Sequence, residues 1–182
     1  MQRIKVMATL LLLSISMANC TSAEEQARVL HSQALEARKA GDTVKQEELV
    51  TQIVQDYRST TTGAEARKEL EEIKFNKEVL VSNTVGNVRL IIAGQVLFLT
   101  AHGRYARDLD ELCADKRGGF DRHFLDPQKG YRYEMTAEDE KFAVTATPTL
   151  STLQKHFFGD NSGLVHEETG KPATPESPLT EY

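Results

Sequence analysis

The feature that most constrains this chain is an apolar run over residues 90–101, interrupted only by Gly94, Gln95 and Thr100, inside the segment 85–112. Runs of about 10–14 apolar residues are too short to span a bilayer and usually form core helices. Gly94 in such a helix costs about 1 kcal/mol relative to alanine unless something packs closely on the backbone. A strand or helix is therefore expected to lie across that point. Downstream the period switches to two. Tyr131, Tyr133 and Met135 alternate with Arg132, Glu134 and Thr136, and Phe142, Val144 and Ala146 alternate with Ala143 and Thr145. This patterning predicts an antiparallel hairpin with one buried face.

A second pair of strands, 156–158 and 164–166, brackets Asp160-Asn161-Ser162-Gly163, whose composition favours a positive φ at its end. Between core helix and hairpin, Asp108-x-x-Glu111 predicts a capped short helix through Leu112, and Gly118-Gly119 and Asp126-Pro127 mark loops. The last residues, 169–182, carry prolines without apolar periodicity and are expected to be disordered.

The first half reads as helices. Ser22-x-x-Glu25 followed by Ala27, Leu30, Ala34 and Ala37, and ended by Gly41, predicts a helix over about 22–40. Asp42 or Thr43 opens a second, carrying Leu49, Ile53, Val54 and Tyr57 and stopping near Arg58-Ser59. Thr62-x-x-Glu65 is a second capping-box pattern, starting a third stripe of Ala66, Leu70 and Ile73. The span 75–87 is expected to stay helical, with or without a break at Asn83 and Gly86.

Arg3 and Lys5, an apolar core over 6–15, and small or polar residues up to Cys20 make a secretion signal rather than a membrane span. Its end, Met17-Ala18-Asn19-Cys20, resembles a bacterial lipoprotein leader, although Met17 stands where leucine is commonest and Asn19 where glycine or alanine is. The resemblance implies lipidation at Cys20 and a lipid-anchored protein on the periplasmic side of the envelope; two or more acyl chains make such anchoring stable. The alternative is a soluble periplasmic protein with an ordinary signal cleaved near Ala18. Once Cys20 is lipidated, Cys113 is the one free thiol, so no intramolecular disulfide forms; a buried apolar role is expected for it.

With a formal charge of −5 and no basic stripe, the chain is a poor candidate for nucleic-acid binding. No phosphate loop or nucleophile elbow appears, and the chain is expected not to be an enzyme and to hold no cofactor. Among candidate ligands, His156, His166 and Asp160 make a conceivable metal group, but cross-strand surface pairing explains them better. Asp160, Asn161 and Glu167 offer too few oxygens for calcium, and Asp108, Asp110 and Glu111 read as a helix cap. No metal site is expected.

Two further resemblances bear on architecture. The pattern A-x-x-A-x-x-x-G-D over 34–42, then Ile53-Val54-x-Asp56-Tyr57 and Ala66-x-x-x-Leu70, resembles a tetratricopeptide hairpin, without the usual proline after Tyr57. One and a half repeats are too few for a solenoid groove. G-x-Y-A-x-x-L-x-x-L over 103–112, G-Y-x-Y over 130–133, F-x-V-x-A-x-P over 142–148 and F-F-x-D-x-x-G-x-V over 157–165 together resemble the globular head of type IV pilins and pseudopilins. That resemblance implies a long helix packed on an antiparallel sheet. The peptidase site and the protruding apolar stem of pilins are missing, so the chain is expected not to polymerise.

The expected fold is thus α+β: a signal over 1–19, a tetratricopeptide-like helical part over 20–82, a pilin-like domain over 83–168 and a tail over 169–182. The implied role is a membrane-anchored envelope lipoprotein contacting other envelope proteins, such as pilus or type II secretion components. The rival is a periplasmic adaptor whose helical hairpin is the working surface.

Overall fold

A computed structural model describes residues 22–115, 126, 130–138 and 140–181. The leader, Cys20, His123 and the Gly118-Gly119 loop lie outside the described residues. Three helices, α1 (Ala23–Lys39), α2 (Thr43–Asp56) and α3 (Thr61–His102), precede the short α4 (Leu109–Ala114) and four strands, β1 (Tyr131–Glu138), β2 (Lys141–Pro148), β3 (Lys155–Asp160) and β4 (Val165–Thr169). The chain divides into two compact units at 72/73, inside α3. This is ten residues earlier than the 82/83 junction expected from sequence.

In the first unit, Ser22 and Asp42 cap α1 and α2 by accepting the backbone N–H groups of Glu25 (3.1 Å) and Lys45 (3.0 Å). Each satisfies one of the orphan donors at a helix start. Gly41, at φ 75°, follows α1 in the left-handed region that glycine enters without steric cost. The expected cap of α3 is shifted. Thr60, not Thr62, accepts the Gly63 N–H (2.9 Å), while the Thr62 hydroxyl donates to Glu24 (2.7 Å). The reason is Gly63: a Cβ there would stand 2.1 Å from the Tyr57 carbonyl oxygen, so the helix can start this close to the preceding turn only at a glycine. Ala27, Ala34, Leu49, Val50, Ile53, Ala66 and Leu70 form this unit's core, and Glu69 accepts from Gln46 (2.7 Å) and meets His31 (3.1 Å) at its edge.

In the second unit, β1 to β4 form an antiparallel meander in sequence order, with Met135, Val144, Gly159 and Val165 lying side by side across it. The predicted alternation holds: Tyr131, Tyr133, Met135, Phe142, Val144 and Ala146 are buried, packed with Val85, Val88, Ile91, Ile92 and Phe98 of α3. Gly94 is buried, as a packed helix glycine should be, and a further close approach falls at a glycine on the strand. At Gly159 a Cβ would come within 2.8 Å of Ile92 Cδ1 and 2.9 Å of Val88 Cγ1.

Two expectations are corrected. The apolar run is not sheltered on all sides: the sheet covers one face of α3, while Leu90 (52%), Val96 and Leu97 (53%) remain exposed. By length and composition α3 could cross a membrane, yet 44% of its most apolar stretch is buried inside the protein. The tail is also ordered. Residues beyond Gly170 turn back along β4, where Glu167 N–H donates to Pro178 O (2.8 Å), Thr180 N–H donates to Val165 O (2.9 Å), and His166 pairs with Leu179. Backbone pairing at a sheet edge needs no side-chain periodicity, which is why composition misses it.

Candidate functional site

The most organised polar cluster follows α3. Gly103 (φ 71°) ends that helix, and the chain crosses to α4 through Arg104, Tyr105, Ala106 and Arg107. This crossing is fixed from beneath by Gln95, which is wholly buried (0%). Its amide nitrogen donates to Ala106 O (2.8 Å) and contacts Met135 Sδ (2.9 Å), and its amide oxygen accepts the Ala106 N–H (2.8 Å). A buried loop backbone is thereby satisfied by one side chain, as burial demands. Asp108 then caps α4 by accepting the Glu111 N–H (2.8 Å).

Glu111 is the hub of the cluster. Arg104 donates to both of its carboxylate oxygens (2.6 and 3.1 Å), and the Arg107 N–H donates to it as well (2.7 Å). The Arg104 guanidinium and the Arg107 N–H hold the Glu111 carboxyl down at about 2, against an ordinary 4.5, and Glu111 raises Arg104 in turn. Arg104 also lies 5.4 Å above the Phe98 ring, and Tyr105 meets Phe142 edge-on at 4.9 Å. A cavity of about 390 Å³ opens here, lined by Arg104, Tyr105, Arg107, Ala137 and Glu138. Its lining offers guanidinium and phenol donors beside the carboxylate of Glu138, a set that can recognise a polar group. None of these residues is a serine, cysteine or histidine able to act as nucleophile or imidazole base.

The remaining sequence candidates are dispersed. Asp108 serves as cap and Glu111 as ion-pair hub, so with Asp110 they form no free carboxylate cluster. His156 and His166 do not face one another: His156 stands opposite Glu168, and His166 opposite Phe158. His166 Nδ1 lies 2.6 Å from Ser177 O, and Ser177 donates to Glu168 (3.3 Å), so the histidine and glutamate hold the tail. Asp160 accepts the Ser162 N–H (2.8 Å) in the β3–β4 turn, where Gly163 takes the positive φ expected (81°), and Glu167 pairs with Lys155 (2.7 Å). Among the described residues no three His, Cys, Asp or Glu side chains gather as a metal site. Cys113 is half-buried rather than buried.

Two features escaped the sequence reading. The Arg104–Glu111–Arg107 cluster is signalled only by spacing, with Arg107 four residues before Glu111 (R-x-x-x-E) and Arg104 seven before it. The exposed apolar stripe on α3 could have been found by extending the helical period back from Leu97 to Phe75. Comparison with protein families, with curated proteins and with solved structures finds no match for this chain.

Proposed function

We propose that this chain is a non-enzymatic, membrane-anchored lipoprotein of the bacterial cell envelope, tethered through Cys20 and presenting a pilin-like interaction domain, an accessory of a type IV pilus or type II secretion system. The observation that carries the reading is the long helix laid on a four-stranded antiparallel sheet, in the part of the chain that bears the pilin-head motifs. The leader ending Met17-Ala18-Asn19-Cys20 supports the tether. A second reading, a tetratricopeptide-like adaptor working through its helices, draws support from the separate core of the first unit, centred on Val50 and Ile53.

The test uses the full chain in an exporting bacterium. Labelling with a palmitate analogue is expected in the wild type and absent in Cys20→Ala; equal labelling in both, or none in either, removes the tether. A photo-crosslinking residue placed at Arg107, on the cavity rim, is expected to capture pilus or secretion components. Capture only from Leu35, exposed on α1, transfers the role to the helical unit.

A further inference from the structure

On the side of α3 turned away from the sheet, Phe75 (64%), Val79, Ser82, Leu90, Ala93 and Leu97 are all exposed, with Gly86 half-buried midway among them. At 3.6 residues per turn these seven positions fall within about 40° of one line, which runs roughly 33 Å along the helix. The large members and neighbouring Val96 expose on the order of 500 Å² of apolar surface, the scale of functional patches on monomers. Gly86 is the anomaly in this stripe. Glycine inside a helix costs about 1 kcal/mol relative to alanine, yet nothing lies within 4 Å of where its Cβ would be. Within the chain no neighbour requires a glycine there.

We propose that this stripe is a homodimer surface, in which α3 packs antiparallel on α3 of a second copy with the two-fold axis at Gly86. The spacing around Gly86 is symmetric, with positions 4, 7 and 11 residues away on either side. An antiparallel copy therefore sets Phe75 against the partner's Leu97, Val79 against the partner's Ala93, and Leu90 against the partner's Ser82. Large residues meet small ones next to the crossing, and the glycines at the axis allow the backbones to approach closely. The flanking charges do not collide: Arg89 falls opposite the partner's Asn83, and Glu78 opposite the partner's Gly94. The two-fold contact buries roughly 1,000 Å² in total, the threshold for a specific interface. A lipid surface is the poorer occupant, because the stripe is flanked by Glu78 as well as Arg89 and not by the several Lys and Arg that membrane-lying helices carry there. This inference concerns a surface that the envelope role does not use; its cross-linking test rests on the export that role implies, and the association of the purified chain tests it without that.

The test is cysteine cross-linking of the full chain in its exporting host, in a Cys113→Ser background. Co-expressed Phe75→Cys and Leu97→Cys chains are expected to give a covalent mixed dimer. Phe75→Cys alone, Leu97→Cys alone and the off-stripe Lys74→Cys are expected to give none. Cross-linking by Phe75→Cys alone would mean parallel packing and overturn the arrangement, as would no mixed dimer from the Phe75→Cys and Leu97→Cys pair. With the purified full chain, Leu97→Glu is expected to weaken dimerisation at least about tenfold, the effect of burying an unpaired carboxylate, without changing the thermal midpoint of the monomer. A wild-type chain that stays monomeric at all concentrations, or that floats with phosphatidylglycerol vesicles through a Leu97-dependent contact, refutes the proposal.

Discussion

Replacing Gln95 by leucine removes the one side chain that satisfies both backbone groups of Ala106 while nearly preserving volume. Ala106 is fully buried, so its N–H and C=O lose their partners rather than exchanging them for water. Each stranded group costs about 1–3 kcal/mol. Leucine recovers part of this because a buried amide is exchanged for methyl groups, leaving a net loss of about 2–4 kcal/mol. For a unit of this size each kcal/mol moves the melting temperature by about 4–8 °C, so the second unit should melt roughly 8–30 °C lower. Calorimetry on the full chain reads the shift, and hydrogen exchange at Ala106 reads its origin: strong protection in the wild type, fast exchange in the variant. Met135→Leu is the control. It removes the sulfur contact alone and, as a volume-conserving exchange, should cost less than about 1.5 kcal/mol. If Gln95→Leu lost under about 1 kcal/mol, or left Ala106 protected, the buried amide would not be what holds the crossing between α3 and α4.

Gly159→Ala should destabilise the second unit by about 1–3 kcal/mol through overpacking, since Ile92 can swing its terminal methyl away but β-branched Val88 cannot; pairing it with Val88→Ala should restore part of the loss in chemical denaturation. Glu111 contributes to stability through a depressed pKa, so its contribution is complete above about 4.5 and lost as pH falls toward 2; Glu111→Gln should flatten the acid limb of a melting-temperature profile in that window and leave the profile above pH 6 parallel to the wild type. Deleting residues 171–182 should lower the melting temperature and increase aggregation measured by light scattering, because it strips backbone partners from the β4 edge and frees His166.

Much of this architecture is written locally. Ser22, Asp42 and Asp108 each act on a backbone group three residues away, so their caps can be read without knowing the fold. The two-residue alternation of β1 and β2 is equally direct, because one buried face imposes it. The misses are long-range. Thr62 satisfies the capping rule as well as Thr60 does; Gly63, which lets the helix start against the Tyr57 carbonyl, moves the cap to Thr60, and the carboxylate of Glu24, 38 residues from Thr62, takes the freed hydroxyl. Asn83 and Gly86 look like a break, but Thr84, Val85 and Val88 are buried around them and carry the helix through. The tail's order comes from β4's unpaired backbone, and the polar cluster comes from α4 folding Glu111 back over Arg104; neither leaves a composition signal.

The helix α3 carries two apolar faces with different consequences. Val85, Val88, Ile92 and Gln95 point to the sheet, and Phe75, Gly86, Leu90 and Leu97 lie half a turn round. A run that is greasy all round is usually a sign of burial on every side, but here only half of it finds cover within the chain. The two faces should therefore separate experimentally. Changes on the sheet face act on folding, since they open cavities or strand polar groups, and should not depend on protein concentration. Changes on the outer face leave the fold's packing intact and act on association. Gly86→Ala is the sharpest case because it drives the two quantities in opposite directions: alanine should stabilise the isolated helix by about 0.5–1 kcal/mol, while its methyl group holds two crossing backbones apart. A variant that melts higher at low concentration yet dimerises less well would follow from this geometry. One that melts higher and dimerises equally well would place the contact away from Gly86.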